Sequence, residues 1–477
     1  MSVNKPFIHL FKTNEGYYMY DVNRNGILKI KKTLWDSLFS QCNDVNGVDS
    51  IGYEEIEDYK ILNEMKKKGF LSSNKAQQII HHADEVLEYH LRNKVQKITL
   101  QVTQSCNLRC DYCPYSGGYR NREHTNNKMD WNTAKKSLDF LLEHSIDNEI
   151  VNIGFYGGEP MIEFDLIKKC IEYAKEIFKG KDIQFSITTN GTLINKKIIR
   201  YFVKNKVNLT ISLDGPKEVH DKNRRFCNGS GTFDKIINSL DYIKEEFPEY
   251  YKRLFFNVVL DPESDFSCIN DFFCNYETIK ENPASLSLIT EQYSVNSINY
   301  SQEYFVKNEY EYFKVLLSKL NRLDSKNVSK LLEKRFSDLR RMYNYIEICE
   351  RIPEKAHHGG PCIPGVQRLF VNVNGDFFPC ERVSEESEIM RIGSIRNGFE
   401  LEKIKVLLNV GKITEKQCKN CWAFRFCFQC AAFADELDEL SSDKKLGKCN
   451  SVRNFVVNSF KDICTMREMN FDFTNSF

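Results

Sequence analysis

The apolar positions of this chain change period along its length, and the changes mark its organisation. Near the N-terminus, Ile8–Lys12, Tyr17–Val22 and Ile27–Lys31 are short, mainly apolar runs. Such runs bounded by turn residues predict strands. The breaks between them, Asn14-Glu15-Gly16 and Asn23-Arg24-Asn25-Gly26, are turn residues at hairpin spacing. Two helical periods follow, Thr33–Gln41 and Ile56–Lys68. The second places Ile56, Tyr59, Leu62 and Met65 on one face and stops at Gly69. Gln78–Asn93 reads as a helical linker. Strands then alternate with helices. The predicted strands are Lys97–Thr103, Glu149–Phe155, Asp182–Thr188, Val207–Leu213, Arg253–Leu260 and Ser285–Thr290; helices such as Trp131–Glu143, Asp165–Phe178 and Phe233–Glu245 lie between them. Repeated βα units imply an α/β fold with a parallel sheet. Tyr304–Arg351 is charged and helical and reads as a bridge, with Tyr310, Tyr312, Phe313, Tyr343 and Tyr345 as packing residues. Arg368–Cys380 reads as a hairpin turning at Asn374-Gly375. The expected units are therefore 1–92, 93–303, 304–351 and 352–477.

Composition narrows the function. The chain has 477 residues, 41% hydrophobic, enough for about three domains. Its formal charge of +1 supplies no field for nucleic acid. No apolar run reaches the ~18 residues of a membrane span. Seventeen cysteines in short clustered spacings, behind a polar N-terminus, favour metal over disulfides. The expectation is a soluble cytoplasmic protein with no nucleic-acid or membrane partner. Three strands with small helices at the N-terminus suggest a winged helix-turn-helix. A duplex reader should be basic, yet residues 1–92 hold 12 Lys plus Arg against 13 Asp plus Glu. Peptide capture is the alternative use of such a unit, through a strand added to an open sheet edge.

The candidate chemistry lies in two cysteine groups. Cys106, Cys110 and Cys113 form a CxxxCxxC pattern just past the first predicted βα-unit strand. They offer three thiolates to a cubane iron–sulfur cluster, which takes four ligands, so one iron stays open. Structural zinc takes four protein ligands, and no fourth Cys or His is close by in sequence. Gly157-Gly158-Glu159-Pro160 follows the next strand; glycine allows a close backbone approach to a ligand, and Glu159 suits an ammonium group. Both motifs lie at C-terminal strand ends, where βα barrels place their sites. The second group is Cys362 and Cys380, then Cys418, Cys421, Cys427 and Cys430 as CxxCx₅CxxC, then Cys449. A zinc ribbon is the competing reading of the paired CxxC steps. Cys42, Cys170, Cys227, Cys268, Cys274 and Cys464 have no ligand spacing and read mostly as small buried apolar residues.

The cysteine loop and the Gly-Gly-Glu-Pro segment resemble those of radical S-adenosylmethionine (SAM) enzymes. The resemblance implies a partial (β/α)6 barrel and a 4Fe–4S cluster whose open iron chelates SAM. SAM is then cleaved to a radical that takes a hydrogen from the substrate. Cys106, Cys110 and Cys113 would be the catalytic ligands. Thr188-Thr189-Asn190-Gly191-Thr192, Ser212-Leu213-Asp214-Gly215-Pro216 and His220-Asp221-Lys222-Asn223-Arg224 also resemble the family. By carry-over, Tyr112, Gly157, Gly158, Glu159, Pro160, Asn190, Ser212, Asp214 and Arg224 would contact SAM. Ser212 would bond the ribose and Arg224, or its neighbour Arg225, the carboxylate.

The later cysteines resemble a SPASM domain, which holds two auxiliary 4Fe–4S clusters, for three in all. The family's interleaving assigns Cys418, Cys421, Cys427 and Cys449 to an outer cluster and Cys362, Cys380 and Cys430 to an inner one. The last step of the central motif departs from the family, with two residues between Cys427 and Cys430 instead of three. Cys349 would complete the inner site; otherwise it stays open for a substrate thiolate.

The whole order resembles maturases that build thioether crosslinks in ribosomal Cys-rich peptides, the sactipeptide and ranthipeptide enzymes. The implied partners are a precursor peptide, its leader on residues 1–92, and a low-potential donor such as flavodoxin or ferredoxin. Within the same superfamily the alternatives are carbon–carbon crosslinking or formylglycine formation. Outside it stands a non-catalytic iron–sulfur protein that binds peptides or carries electrons.

Overall fold

The computed structural model describes residues 5–43, 55–116, 118–119, 123–289, 293–295 and 297–474. Strands β1 (Ile8–Lys12), β2 (Tyr17–Asp21) and β3 (Gly26–Ile30) form an antiparallel sheet in that order. Alternation sends their side chains to two faces. Met19 packs with Leu34 and Leu38 of α1 (Lys32–Asn43) and Met65 of α2 (Glu55–Lys67). Phe11, Tyr18 and Tyr20 occupy the other face and pack against Phe424, Phe426 and Phe460 from the far end of the chain. Thr290 and residues 44–54 lie outside the described residues, so the end of the last predicted βα-unit strand is not assigned.

The stretch expected as one helical linker differs. It contains a short strand, β4 (Gln78–Ile79), and a helix only at α3 (Leu87–Asn93). The backbone of Gln77 and Gln78 donates to Glu354 O at 2.7 and 3.0 Å, which commits it to pairing before a helix can start.

Next come β5 (Lys97–Thr103), α4 (Trp131–His144), β6 (Ile150–Gly157), α5 (Phe164–Ile177), β7 (Asp182–Thr189), α6 (Lys196–Asn205) and β8 (Asn208–Ser212). They are followed by α7 (Lys217–Asn223), α8 (Phe233–Glu246), α9 (Pro248–Tyr251), β9 (Phe255–Leu260), α10 (Phe266–Asn275) and β10 (Ala284–Leu288). Strands β5 to β10 are neighbours in sequence order and all parallel. Ile98, Leu100 and Val102 of β5 and Val151, Ile153 and Phe155 of β6 are buried in the core. Among the described residues β10 pairs only with β9, so the six-stranded α/β sheet is a partial barrel.

Helices α11 (Gln302–Lys319) and α12 (Glu333–Tyr345) form the bridge. Tyr312 is buried there with the Arg335 guanidinium 3.7 Å from its ring centroid, and Tyr343 stacks on Phe473. Tyr310 and Phe313 are exposed, unlike the packing role expected of them, because a helix on the surface buries only one stripe; Tyr345, half exposed, still packs edge-on against Phe426.

The chain then returns through β11 (Lys355–Ala356), which pairs with β4, and β12 (Leu369–Val371), which pairs in parallel with β5. Strands β13 (Asp376–Phe378), β14 (Gly393–Ser394) and β15 (Gly398–Phe399) extend that sheet antiparallel. Helices α13 (Leu401–Leu408), α14 (Glu415–Cys418), α15 (Ser442–Gly447) and α16 (Cys449–Glu468) complete the fold. No helix among the described residues is long and apolar enough to cross a membrane.

Candidate active site at the strand ends

Past the end of β5 the backbone runs into the cysteine loop, and the end of β6 pins it there. Gly158 N–H donates to Thr103 O at 3.0 Å and Glu159 N–H to Ser105 O at 2.9 Å. A Cβ on Gly157, whose φ is +146°, would stand 2.1 Å from Thr103 O; one on Gly158 would stand 2.3 Å from Ser105 O. The two glycines are therefore required by the chain's own backbone, where the sequence suggested a ligand. Pro160 opens a short 3-10 turn, Pro160–Glu163.

Cys106, Cys110 and Cys113 lie within one another's electrostatic reach. Leu108 N–H donates to Cys106 Sγ at 3.3 Å, and Cys113 N–H to Cys110 O at 3.0 Å. Burial pushes the Cys106 and Cys110 thiols up to about 12, and Arg224 counteracts this at Cys110. Among the described residues no three His, Cys, Asp or Glu side chains converge as ligands of a single metal ion do. A cubane spreads its thiolates over separate irons, so its ligands stand farther apart. Three cysteines in one loop, mostly withdrawn from water and with a guanidinium beside one of them, fit such a cluster.

The other strand ends surround this loop. Glu159 is fully buried; Oε1 accepts from Met161 N at 3.0 Å and Thr189 Oγ1 at 2.7 Å, and Oε2 from Asn190 N at 2.8 Å. Burial raises its carboxyl above the usual range, and these donors pull the other way. Glu159 thereby ties the end of β6 to the end of β7. Asn190 Nδ2 points at Cys106 Sγ, 3.9 Å away, and bonds Asn107 Oδ1 at 3.0 Å. Ser212 closes β8 and is buried.

Asp214 gathers three groups. Its Oδ2 accepts from Tyr112 Oη and from Arg224 Nε at 2.7 Å, and its Oδ1 from Val259 N at 3.0 Å. Arg224 is buried with its Nε committed, which fixes the plane of its fork for a carboxylate. Arg225 is exposed and donates to Asp221 O. Sequence reasoning assigned no role to His220, yet its Nδ1 accepts from Asp214 N at 3.2 Å and its Nε2 lies 2.9 Å from Thr232 Oγ1. Asp214→Ala would leave the Arg224 guanidinium buried and unpaired. Such a loss costs about 3–5 kcal/mol, so denaturant unfolding should show a shift of that size, together with weakened SAM binding.

The C-terminal cysteines fall into two places. Cys362, Cys380 and Cys430 feel one another's charge. Cys418, Cys421 and Cys427 form the second set. Cys449 joins the second set through Lys445: its Sγ faces Lys445 O at 3.8 Å, while Lys445 Nζ lies 3.6 Å from Cys418 Sγ. The structure does not bring Cys349 to Cys362; Cys349 N–H bonds Arg24 O at 3.0 Å, in the N-terminal unit. Of the remaining cysteines only Cys170 and Cys464 are buried. Cys42 and Cys274 are half-buried, and Cys227 and Cys268 are exposed, contrary to the sequence expectation for most of them. An apolar sequence neighbourhood does not say which face of a helix or loop a thiol takes.

Register relates the two regions. Phe378 of β13 pairs with Phe370, and Phe370 pairs with Thr99 near the start of β5. Cys380 thus lies beyond the N-terminal end of β5, and Cys106 beyond its C-terminal end. At ~3.3 Å per residue, a seven-residue strand separates them by roughly 20 Å. Between them Gln101 Nε2 bonds Tyr115 Oη at 2.9 Å and Glu385 Oε1 at 2.7 Å.

Residues 100–271 match the family model described as the radical SAM superfamily, so the chain carries a radical SAM domain. It is 31% identical over 244 residues to the radical SAM cyclopropyl synthase TigE of Paramaledivibacter caminithermalis, covering 47% of this chain and 49% of that one. It is 25% identical over 352 residues to a cysteine-type anaerobic sulfatase-maturating enzyme of Clostridium perfringens, covering 68% and 85%. An uncharacterized protein of Methanocaldococcus jannaschii is 40% identical over 135 residues, 28% of this chain and 44% of that protein. The chain thus spans less than half the length of the Methanocaldococcus and Paramaledivibacter relatives. The solved structure described as native anSMEcpe with bound AdoMet superposes with a TM-score of 0.58 at 21% identity, covering 78% of this chain and 99% of that one. That likeness is one of fold. The chain therefore carries a radical SAM domain and is similar in sequence to an anaerobic sulfatase-maturating enzyme and to a cyclopropyl synthase.

Proposed function

We propose that the chain installs Cys thioether crosslinks, sulfur to carbon, in a ribosomally made Cys-rich precursor peptide. The observation that carries this reading is the C-terminal group of three cysteines, Cys362, Cys380 and Cys430, with Cys349 held elsewhere. A site with three chain ligands has room for a substrate thiolate, and ligation would deprotonate and align that sulfur. The cofactors would be SAM and three 4Fe–4S clusters, which supply one-electron cleavage of SAM and an exit for the surplus electron when bound.

The residues have separate tasks in this reading. Cys106, Cys110 and Cys113 hold the cluster at the strand ends. Asp214 and Tyr112 orient Arg224 toward the SAM carboxylate. Gln101 bonds Tyr115 and Glu385 between the two cysteine sites and would hold the strand between them in place. Residues 1–92 form the leader-binding unit, 93–303 the barrel, 304–351 the bridge and 352–477 the auxiliary domain. Among the described residues β3 pairs only with β2, which leaves an edge for an added strand. A low-potential flavodoxin or ferredoxin would supply electrons.

The relatives favour a second reading, a different oxidation of a peptide or protein. Solved structures of anSMEcpe include complexes with AdoMet and the Kp18Cys or Cp18Cys peptide. Turnover with a Cys-rich peptide encoded beside the gene separates the readings. Each thioether should lower the peptide mass by two hydrogens and remove one alkylatable cysteine. A product lighter by two hydrogens that still alkylates at every cysteine would exclude thioethers in favour of carbon–carbon bonds.

Leader recognition is checked with full-length and leader-less peptides against the intact chain. The full-length peptide should bind more than ~10-fold more tightly, which corresponds to 1.4 kcal/mol. Equal affinity would refute the role of residues 1–92. Deleting the unit is the poorer test, since it strips Phe11, Tyr18 and Tyr20 from Phe426 and Phe460.

A further inference from the structure

Two buried polar groups beside Cys418 and Cys427 lack a full set of partners among the described residues. Lys445 is 1% exposed. Its ammonium meets Thr414 Oγ1 at 3.0 Å and Cys418 Sγ at 3.6 Å, and no carboxylate among the described residues pairs with it. A buried cation without an anion is costly. His358 is 2% exposed; its ring nitrogens make no hydrogen bond of ordinary geometry, and the ring is directed toward the Cys427 backbone. Its neighbours are satisfied: His81 Nδ1 accepts from Ala83 N at 3.1 Å and His357 Nε2 from Gly411 N at 2.9 Å.

The strap from His358 to Cys362 fixes that ring in place. A Cβ on Gly359 would stand 2.2 Å from Arg425 O, and one on Gly360 2.4 Å from Cys427 O. No side chain is tolerated at either position. The strap therefore lies directly on the Cys427 loop, and it ends at Cys362 of the other cysteine group. One occupant answers both unmet groups: an anionic cluster whose sulfurs accept hydrogen bonds.

We infer that His358 and Lys445 donate hydrogen bonds to sulfurs of a cluster held by Cys418, Cys421, Cys427 and Cys449, and raise its reduction potential. His358 acts on the Cys427 side and Lys445 on the Cys418 side. Both are positioning residues. Adding one electron makes a thiolate-ligated cluster more negative, and a nearby ammonium and a ring N–H stabilise that reduced form. The outer cluster then becomes the electron-accepting end of the chain's iron–sulfur sites. The inference rests on the proposed assignment of the C-terminal cysteines to clusters.

Redox titration of the reconstituted full chain, followed by electron paramagnetic resonance, tests it. Lys445→Met and His358→Phe should each keep about twelve irons per chain, from four per cubane, and each should move one cluster's midpoint to lower potential. Lys445→Arg and His358→Asn, which keep a donor, should recover most of the shift. Unchanged midpoints at full iron content would overturn the inference. Should the variants lose iron, the wild type decides: protein labelled with ¹⁵N-histidine should show a weak nitrogen coupling to one reduced auxiliary cluster. Absence of that coupling in protein with three clusters overturns the inference alone. Wild-type iron matching one cluster overturns the cluster assignment with it.

Discussion

Replacing Cys106, Cys110 and Cys113 together by Ala is expected to abolish 5′-deoxyadenosine formation and to lower iron content by about four per chain, one cubane's worth. The loss should be complete. The loop holding these thiols is fixed by the bonds from Gly158 and Glu159, and Asn190 and Leu108 already direct N–H groups at Cys106 Sγ. No other cysteine lies within the described contacts of this loop except Cys227, whose Sγ bonds Asn107 O at 3.3 Å from an exposed position. The C-terminal sites should keep their iron, because they are built on other elements. SAM cleavage persisting in the triple variant would remove this loop from the chemistry.

Gly158→Ala is expected to cut SAM cleavage by at least ~100-fold without unfolding the chain. The new Cβ would lie 2.3 Å from Ser105 O, and the obstacle is backbone, which has no rotamer to change. Restoring ordinary contact moves the start of the cysteine loop by roughly 1 Å, a displacement that costs on the order of 100-fold in a positioned reaction. Gly157→Ala combines a 2.1 Å approach to Thr103 O with a φ of +146° and should be at least as severe. Anaerobic assay of 5′-deoxyadenosine, with thermal unfolding as control, reads both effects. A wild-type rate in Gly158→Ala would show that the loop tolerates movement and that the glycine pair does not set its position.

The long-period features were legible before the structure. Six βα units follow from strands and helices that differ in period, and β5 and α4 begin where the pattern predicts, at Lys97 and Trp131. The cysteine spacings and the Gly-Gly-Glu-Pro segment located the candidate chemistry. Local spacing failed where a long-range partner took over. Gln78 and Ile79 left a helical pattern to pair with Lys355 and Ala356, residues nearly three hundred positions away. Tyr310 and Phe313 looked like packing residues but stayed on the water side of α11.

The candidate site divides in the same way. Residue type and spacing along one segment grouped Cys106, Cys110 and Cys113 as candidate cluster ligands, and their resemblance to a known family raised the expectation of a radical SAM domain. Only the tertiary structure decided which distant groups meet them. It made the glycine pair a contact to Thr103 and Ser105, gave Asp214 the task of holding Arg224, and separated Cys349 from Cys362. It also buried Lys445, which in sequence stands beside Lys444 in an ordinary charged run. A ligand motif is local because the loop that carries it is local. Burial and charge pairing belong to the packed chain, since they depend on which surface comes to cover a side chain.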